Sequence, residues 1–233
     1  MITVRAAVRT LVSLFGRLGR GVHEGGSSRP LAPDGSEVSG HEQLIRQILS
    51  TIHNNSILLC GEPGTGKTAL LLHLKERLST GGDPVTEFFP VYVDLHDVPE
   101  RLLFATVANA VTEQLAPMPI LSHVDWSPAP GSVYGHRDLA NDFRSVLRSL
   151  RERSTGRARL VLLVDGIDEL NHFAPRTAQR VRSLFMASLD GSLVMVASAI
   201  EIDRHWEQEG SPWYNFFEEI ELSPAHPKRR RPG

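Results

Sequence analysis

The chain has 233 residues, a length that suits one well-filled domain with irregular ends better than two domains. Its 41% hydrophobic and 22% charged residues are ordinary for a globular protein and exclude a fibrous, coiled-coil or wholly disordered chain. A formal net charge of −2 gives no global attraction to nucleic acid or to an acidic membrane. No apolar run approaches the roughly 18 residues of a transmembrane helix. The single cysteine, Cys60, excludes an internal disulfide and favours a reducing, cytoplasmic location.

The two ends of the sequence differ in composition from the middle. In residues 1–20, four arginines alternate with apolar residues at helical spacing, which suits a transit peptide, a membrane-surface helix, a helix of a neighbouring domain or an over-extended start. Residues 21–37 are rich in Gly, Ser and Pro and are predicted to form a flexible linker. Residues 225–233 form a basic tail, interpreted as a solvated end rather than a nuclear signal or a nucleic-acid arm. The folded core is therefore expected at residues 38–224.

Within this core, short apolar runs alternate with helical stripes. Ser39 and Glu42 form a capping-box pattern that predicts the start of the first helix. Another helix is predicted to start at Asp97, and a long exposed loop with four prolines covers residues 116–136. Further helices are predicted at about 67–78, 139–150 and 176–188. Strands are predicted at 56–60, 89–94, 160–164, 193–197 and 217–222.

This alternation predicts the fold class. Strands that alternate with helices imply βαβ units, and hence an α/β fold with three layers: a parallel five-stranded sheet covered by helices on both faces. In such sheets, ligands bind at the carboxyl ends of the strands. The most polar strand exits in this sequence begin at Gly61 and at Asp165. The chemistry is therefore expected at these two positions.

A glycine-rich motif follows the first predicted strand. Residues 61–68, called the phosphate loop below, match G-x-x-x-x-G-K-[ST] at every fixed position. Glycines allow backbone amides to turn inward around a phosphate, and the N-terminus of the following helix adds partial positive charge. A glycine-rich turn with a surface lysine is the alternative, but it does not account for the strand before the motif and the helix after it.

The motif predicts a nucleotide site with ATP and Mg²⁺ as its ligands. Lys67 is expected to bind the β- and γ-phosphates, and the Thr68 hydroxyl is expected to coordinate Mg²⁺. The predicted nucleotide-binding residues are Gly61, Glu62, Pro63, Gly64, Thr65, Gly66, Lys67, Thr68 and Ala69.

An acidic cluster follows the third predicted strand. A carboxylate at the end of a buried parallel strand can face the Mg²⁺ held by Thr68, and this role is assigned to Asp165. The alternative is an aspartate that caps the next turn. Hydrolysis also needs a base or a water-orienting group near the γ-phosphate. Asp168 and Glu169 are the candidates, beside Lys67 as a third catalytic residue, although either acid could instead be a surface residue.

Several other polar and aromatic residues have both a functional and a structural interpretation. Ser198, at the end of the fourth predicted strand, could sense the γ-phosphate or satisfy nearby backbone. Four arginines could act in trans on a neighbouring subunit, although solvated helix charges are the simpler interpretation: Arg176, Arg180, Arg182 and Arg204. The aromatic residues near the end of the chain are interpreted as packing residues rather than a base-stacking platform: Trp206, Trp213, Tyr214, Phe216 and Phe217.

The paired motifs resemble the additional-strand P-loop ATPases, namely the NACHT-like signal-transduction ATPases with numerous domains (STAND) and the origin-recognition-type AAA+ ATPases. Residues 165–169 read Asp-Gly-Ile-Asp-Glu and match the Asp-Gly-x-Asp-Glu end of the NACHT Walker B strand. In AAA+ proteins a catalytic Glu usually follows the Mg²⁺ aspartate directly, and Gly166 at this position favours the NACHT-like group. Residues 38–42 resemble the G-R-E stretch near the adenine, with His41 in place of Arg, and residues 217–224 resemble the last core strand.

The resemblance implies a sheet ordered 5-1-4-3-2 and the roles of Lys67, Thr68 and Asp165 given above. Two features depart from the resemblance. Ala199 stands where NACHT-like proteins often carry Arg, and the lid domain expected after Pro224 is absent from the sequence. The function expected is an ATP-binding regulatory ATPase module with slow hydrolysis to ADP and phosphate, whose switch is read by a protein partner, a neighbouring domain or a nucleotide-dependent oligomer. The alternatives are a DNA-associated loader or transposition-type ATPase, which the net charge does not support, and a truncated non-hydrolysing scaffold.

Overall fold

The computed structural model describes residues 35–53, 55–81, 83, 85–116, 133–187 and 191–223. The predicted amphipathic segment, most of the predicted linker, nearly all of the predicted loop at 116–136 and the basic tail lie outside these residues. Within the described residues, none of the helices is long and apolar enough to cross a membrane.

Helices and strands alternate through the described part of the chain as predicted. The strands are β1 (Ser56–Cys60), β2 (Thr86–Asp94), β3 (Arg157–Asp165), β4 (Leu193–Ala199) and β5 (Phe217–Glu221). The α-helices are α1 (Gly35–Thr51), α2 (Lys67–Ser79), α3 (Leu103–Leu115), α4 (His136–Arg153) and α5 (Pro175–Ala187). Short 3-10 helices occur at Glu100–Leu102, Ile167–His172 and Arg204–Glu207.

Two predicted helix starts are wrong. Helix α1 begins at Gly35, so Ser39 lies inside the helix and does not cap it, and residues 35–37 are helical rather than linker. A capping box is a local preference, and the residues before it can still continue the helix. The helix predicted from Asp97 starts later, because Asp97 takes a left-handed φ of 58° and Pro99 is extended. A 3-10 turn at Glu100–Leu102 then leads into α3.

The five strands form one parallel sheet with the order β2-β3-β4-β1-β5, which confirms the order 5-1-4-3-2. The register aligns the strand ends: Asp94 lies opposite Asp165, and Cys60 lies opposite Ala199. Strands β2 and β3 begin three residues earlier than predicted, since their ladder continues to the pair Thr86 and Arg157. The apolar runs marked the most buried part of these strands and not their full length.

Alternate residues of the strands are buried on opposite faces of the sheet, as expected for a parallel sheet covered on both sides. One core cluster joins α1 and α2 to residues such as Ile57, Leu59 and Val161. The other joins α3, α4 and α5 to residues such as Leu58 and Leu162. The phosphate loop, which leads into α2, therefore belongs to the first face, while α4 and α5 cover the second.

Four of the five aromatic residues predicted to pack do so, namely Trp206, Trp213, Phe216 and Phe217, whereas Tyr214 is exposed. Trp206 and Trp213 are both buried and stack with ring centroids 4.9 Å apart. Arg182 of α5 hydrogen-bonds to the carbonyls of Pro212 and Tyr214, so its guanidinium holds this segment in place. This arrangement gives Arg182 a structural contact within the chain.

Candidate functional site

The phosphate loop makes a tight turn at the carboxyl end of β1. Gly64 and Gly66 have φ angles of 81° and 90°, in the left-handed region that favours glycine. The Thr65 amide and hydroxyl both donate to the carbonyl of Glu62, at 3.3 and 2.9 Å. Gly61 is needed for another reason: a Cβ there would lie 2.5 Å from the carbonyl oxygen of Leu222, just beyond β5.

Helix α2 starts directly from this loop with an uncapped N-terminus. Its capping residue is Gly66, which has no side chain to accept a hydrogen bond, and its first turn contains no acidic residue. The first amides of a helix have no partner within the helix, and the helix dipole makes this end positive. The start of α2 is therefore suited to bind an anion.

Lys67 lies against the phosphate loop with 8% of its surface exposed. Its ammonium group donates to the carbonyls of Gly61 and Glu62, at 2.6 and 2.9 Å from Nζ, and lies 3.4 Å from the Thr65 hydroxyl. A buried ammonium held by neutral carbonyls gains from the approach of an anion, since a charged partner gives a stronger hydrogen bond.

Asp165 lies at the end of β3 with 3% of its surface exposed. Its carboxylate accepts hydrogen bonds from the hydroxyls of Ser198 and Tyr92, the latter at 2.9 Å. Thr68 lines the same cavity as Asp165, and its hydroxyl helps to lower the pKa of this carboxylate. Burial raises the pKa of Asp165, but the hydrogen bonds from Ser198, Thr68 and Tyr92 outweigh burial and hold the pKa below its ordinary value. The group is therefore an anion at neutral pH.

A cavity of about 350 Å³ opens between the loop and the strand ends. Seven of the predicted nucleotide- and metal-binding residues line it: Pro63, Gly64, Gly66, Lys67, Thr68, Ala69 and Asp165. Asp168 and Ser198 also line it, together with Ala199 and Ile200. Three predicted residues, Gly61, Glu62 and Thr65, shape the loop without lining the cavity. This volume falls in the usual range for small-molecule sites, roughly 300–1,000 Å³.

The two candidate catalytic acids differ in position. Asp168 lines the cavity, and its Oδ2 accepts a hydrogen bond from the Ile200 amide at 3.2 Å. Glu169 lies in the same 3-10 helix, and its amide bonds to the Gly166 carbonyl at 3.2 Å, but its side chain does not line the cavity. The geometry thus separates two acids that sequence reasoning left equivalent.

Sequence reasoning missed His96, which also lines the cavity. Its Nδ1 lies 2.7 Å from Oδ1 of Asp94, and this hydrogen bond raises the pKa of His96. Its ring covers Gly166, where a Cβ would approach Nε2 within 2.9 Å. Gly166 also has a φ of 74°, so both its backbone and His96 require a glycine. The polar residues Asp94 and His96 at the end of the second strand were the available sequence signal.

The site fits a magnesium nucleotide. The unpaired amides at the start of α2 and the ammonium of Lys67 suit phosphate oxygens, and the hydroxyl of Thr68 with the carboxylate of Asp165 offers the hard oxygen ligands that Mg²⁺ prefers. In the described ranges, no group of three or more His, Cys, Asp or Glu side chains is placed to hold a metal ion. A Mg²⁺ ion here would complete its shell with phosphate oxygens and water, as is usual for this ion.

A parallel sheet in this order, with a phosphate loop after β1 and an aspartate at the end of β3, defines a core of the P-loop NTPase type. Residues 37–196 match the family model described as the AAA ATPase domain, and the chain belongs to this family. Family membership implies nucleotide binding, typically of Mg-ATP. No protein with a curated description matches the sequence.

Solved structures include chains that are similar to this one. The Orc1 protein of Aeropyrum pernix, in a structure with DNA, is 18% identical with a TM-score of 0.51, over 84% of this chain and 47% of that one. Cdc6p from Pyrobaculum aerophilum is 16% identical with a TM-score of 0.48, over 85% and 48%. The chain spans less than half the length of either protein. At these identities the likeness extends to the fold alone.

Proposed function

We propose that this chain is a regulatory ATPase module that binds Mg-ATP in the cavity beside the phosphate loop and hydrolyses it slowly. The observation that carries the proposal is that Thr68, the buried ammonium of Lys67 and the buried carboxylate of Asp165 line one cavity. This arrangement brings the two predicted halves of the site together. The bound nucleotide would supply the γ-phosphate as the group transferred to water, with Mg²⁺ to neutralise its charge.

The chain's own groups have separate tasks in this proposal. The first-turn amides of α2 and the loop amides wrap the phosphates, and Lys67 exchanges its bonds to the Gly61 and Glu62 carbonyls for bonds to phosphate oxygens. Thr68 and Asp165 hold the metal. Ser198 and Tyr92 keep the Asp165 carboxylate charged and oriented.

Asp168 is the better candidate for orienting the attacking water. Its carboxylate lines the cavity, and the Ile200 amide holds one of its oxygens, which leaves the other available to a water molecule. Glu169, whose side chain does not line the cavity, is assigned a lesser role.

The bond from Ile200 to Asp168 also suggests how a partner could sense the nucleotide. Ser198, Ala199 and Ile200 line the cavity and continue into the segment before β5. A change in the charge near the Asp168 carboxylate, such as gain or loss of the γ-phosphate, would act on this segment through the hydrogen bond from the Ile200 amide. A protein partner, a neighbouring domain or a second subunit that contacts the segment could then respond to the nucleotide state.

The finer assignment within the family is a proposal too. Gly166 supports the NACHT-like branch, because it leaves no side chain at the position after Asp165 and His96 covers the backbone there. The Orc1 protein of Aeropyrum pernix is in complex with DNA in its structure, and its likeness to this chain supports the fold alone. The scaffold alternative predicts binding without turnover.

Calorimetric titration with ATP and Mg²⁺ tests the binding site. The Lys67→Ala variant is expected to weaken ATP binding by roughly 100-fold, the effect of losing a charged contact worth about 2–3 kcal/mol. Arg77→Ala, in the last turn of the same helix and exposed, is the matched control and is expected to bind as the wild type does. Equal affinity of wild type and Lys67→Ala would refute the site.

Single-turnover ATP hydrolysis tests the assignment of the base. Asp168→Asn is expected to slow hydrolysis by about 100-fold with ATP affinity retained, whereas Glu169→Gln is expected to change the rate by less than about 10-fold. The reverse order would move the role to Glu169. If the wild type hydrolyses ATP no faster than the double variant Asp168→Asn/Glu169→Gln, the result would support the non-hydrolysing scaffold.

A further inference from the structure

Helix α4 carries a straight line of arginines on its outer surface. Arg137, Arg144, Arg148 and Arg151 are separated by seven, four and three residues, a spacing that places them on one side of a helix. All four are exposed, while Leu139, Phe143, Val146 and Leu150 on the other side are buried in the core. From Arg137 to Arg151 the line is about 21 Å long, at about 1.5 Å per residue.

The exposed residues of α4 are polar without exception. They comprise five arginines, one asparagine, one serine and one glutamate: Arg137, Asn141, Arg144, Ser145, Arg148, Arg151, Glu152 and Arg153. The two aspartates of the helix are engaged elsewhere. Asp138 accepts a hydrogen bond from the Gly135 amide at 2.8 Å, and Asp142 is buried and bonds to the Tyr134 hydroxyl at 2.6 Å.

Helix α5 extends this basic surface. It contains no acidic residue, and Arg176 and Arg180 are exposed on it. The two helices meet where Nε2 of His136 lies 2.8 Å from the Ser183 hydroxyl. Burial lowers the pKa of His136, and the charges of Arg180 and Arg137 lower it further. The exposed arginines at the starts of the two helices therefore lie on neighbouring elements. We call the exposed arginines 137, 144, 148, 151, 176 and 180 the arginine face.

Apart from Arg151, which hydrogen-bonds to the Ser192 hydroxyl, stability of the fold does not account for these arginines. Within the described residues, no carboxylate forms a salt bridge with Arg137, Arg144, Arg148, Arg176 or Arg180. Arg137 and Arg176 also lie in the first turn of their helices, where the positive end of the dipole disfavours a cation. Unpaired like charges at this density repel one another unless an anion neutralises them.

We propose that the arginine face binds the phosphate backbone of a nucleic-acid duplex. Arginine, asparagine and serine are typical phosphate-binding side chains, and the line on α4 matches about six base pairs at about 3.4 Å each. A protein partner fits less well, because the centre of a protein interface is usually apolar and the exposed residues of α4 include none. The absence of exposed aromatic residues on α4 also disfavours single strands, which bind by base stacking.

This surface is separate from the nucleotide cavity. Helices α4 and α5 cover one face of the sheet, whereas α2 and the phosphate loop belong to the other. Duplex and nucleotide can therefore bind at the same time.

Fluorescence anisotropy of a labelled duplex of about 20 base pairs, titrated with the full chain at about 50 to 200 mM salt, tests the proposal. The wild type is expected to bind with an affinity that falls steeply with salt. Arg144→Glu/Arg148→Glu is expected to weaken binding by at least about 10-fold and to reduce the salt slope by about 2. Arg46→Glu/Arg77→Glu makes the same change in net charge at exposed positions on α1 and α2, and a change of less than about 3-fold is expected there.

Four results would overturn the proposal. They are no salt-dependent binding by the wild type, equal losses in the two charge-reversal variants, tighter binding of a single strand than of the duplex, and loss of binding when residues 225–233 are deleted. Unchanged ATP affinity in Arg144→Glu/Arg148→Glu is expected and shows that the variant is folded. A fifth result, displacement of the duplex by poly-glutamate at equal charge, would also overturn the proposal and would assign the surface to acidic proteins instead.

Discussion

The nucleotide cavity and the arginine face both use cations, but they hold them in opposite ways. Lys67 is buried and its ammonium donates to loop carbonyls, whereas Arg137, Arg144 and Arg148 of α4 are exposed and form no salt bridge with a carboxylate among the described residues. The cavity depends on backbone angles that few residues adopt, while the face depends on charge alone. The nucleotide cavity can be recognised in the sequence as a motif. The arginine face can be recognised only when the buried side of α4 is known.

This contrast has consequences for stability. A buried charged or polar group is costly to disturb, because its partners lose their hydrogen bonds. Exposed charges contribute little to folding. Substitutions at the cavity should therefore reduce both binding and stability, and substitutions on the arginine face should reduce binding alone.

The largest loss of stability is expected for Gly61→Ala. The new Cβ would lie 2.5 Å from the Leu222 carbonyl oxygen, so backbone must move, at a cost of about 1–3 kcal/mol. Gly210→Ala is the control, since a Cβ there meets nothing within 4 Å. Urea unfolding followed by circular dichroism measures both variants. Equal free energies of unfolding would show that β5 does not constrain the loop.

A smaller effect is expected for Ser198→Ala. This change removes the hydroxyl that donates to Asp165 and accepts from the Gly166 amide, at 3.2 Å, and should cost about 1–2 kcal/mol in binding of Mg-ATP, or roughly 10-fold. Ser145→Ala on the outer surface of α4 is the matched control and should leave ATP affinity unchanged. An unchanged affinity in Ser198→Ala would remove this serine from the site.

On the arginine face, Arg144→Glu/Arg148→Glu should change the free energy of unfolding by less than about 0.5 kcal/mol, because neither side chain is buried. Urea unfolding at moderate salt measures this difference. A loss above about 1 kcal/mol would mean that the arginines support the fold, contrary to the separation drawn here.

The smallest effect concerns pH. Because burial and the nearby arginines lower the pKa of His136, the unfolded chain binds its proton more readily than the folded chain does. The stabilisation of the folded state by neutral His136 is fully present above pH 6.5, the ordinary pKa of histidine. It is lost as pH falls through the lower pKa of His136 in the folded chain. It should amount to a fraction of a kcal/mol, since the ring is partly exposed. Unfolding of wild type and His136→Gln at pH 7.5 and 5.5 should show a larger loss for the wild type. The same loss in both would exclude His136.

Much of the fold followed from the sequence, because buried strands and helical stripes leave a local pattern. The phosphate loop and Asp165 could also be predicted, since each requires particular residues next to each other. The contributions of Tyr92 and His96 could not, because they depend on the register of β2 against β3. Which of Asp168 and Glu169 lines the cavity depends on the 3-10 turn after Gly166, and the sequence does not define this turn.

The arginine face was missed for a different reason. A dense run of cations is visible in the sequence in the basic tail, at residues 228–231. Arg137, Arg144, Arg148 and Arg151 of α4 are three to seven residues apart, and the helix brings them into one line. The early starts of β2 and β3 were missed similarly, since their first residues are less apolar than the runs that follow.

The central claim is that phosphate groups and a divalent metal meet between Lys67, Thr68 and Asp165. Titration calorimetry of ATP with Mg²⁺ and with EDTA, on wild type and Asp165→Asn, tests it most directly. Mg²⁺ should strengthen ATP binding to the wild type by at least about 10-fold, and this gain should disappear in Asp165→Asn while metal-free binding remains. A gain of equal size in both proteins would contradict the account.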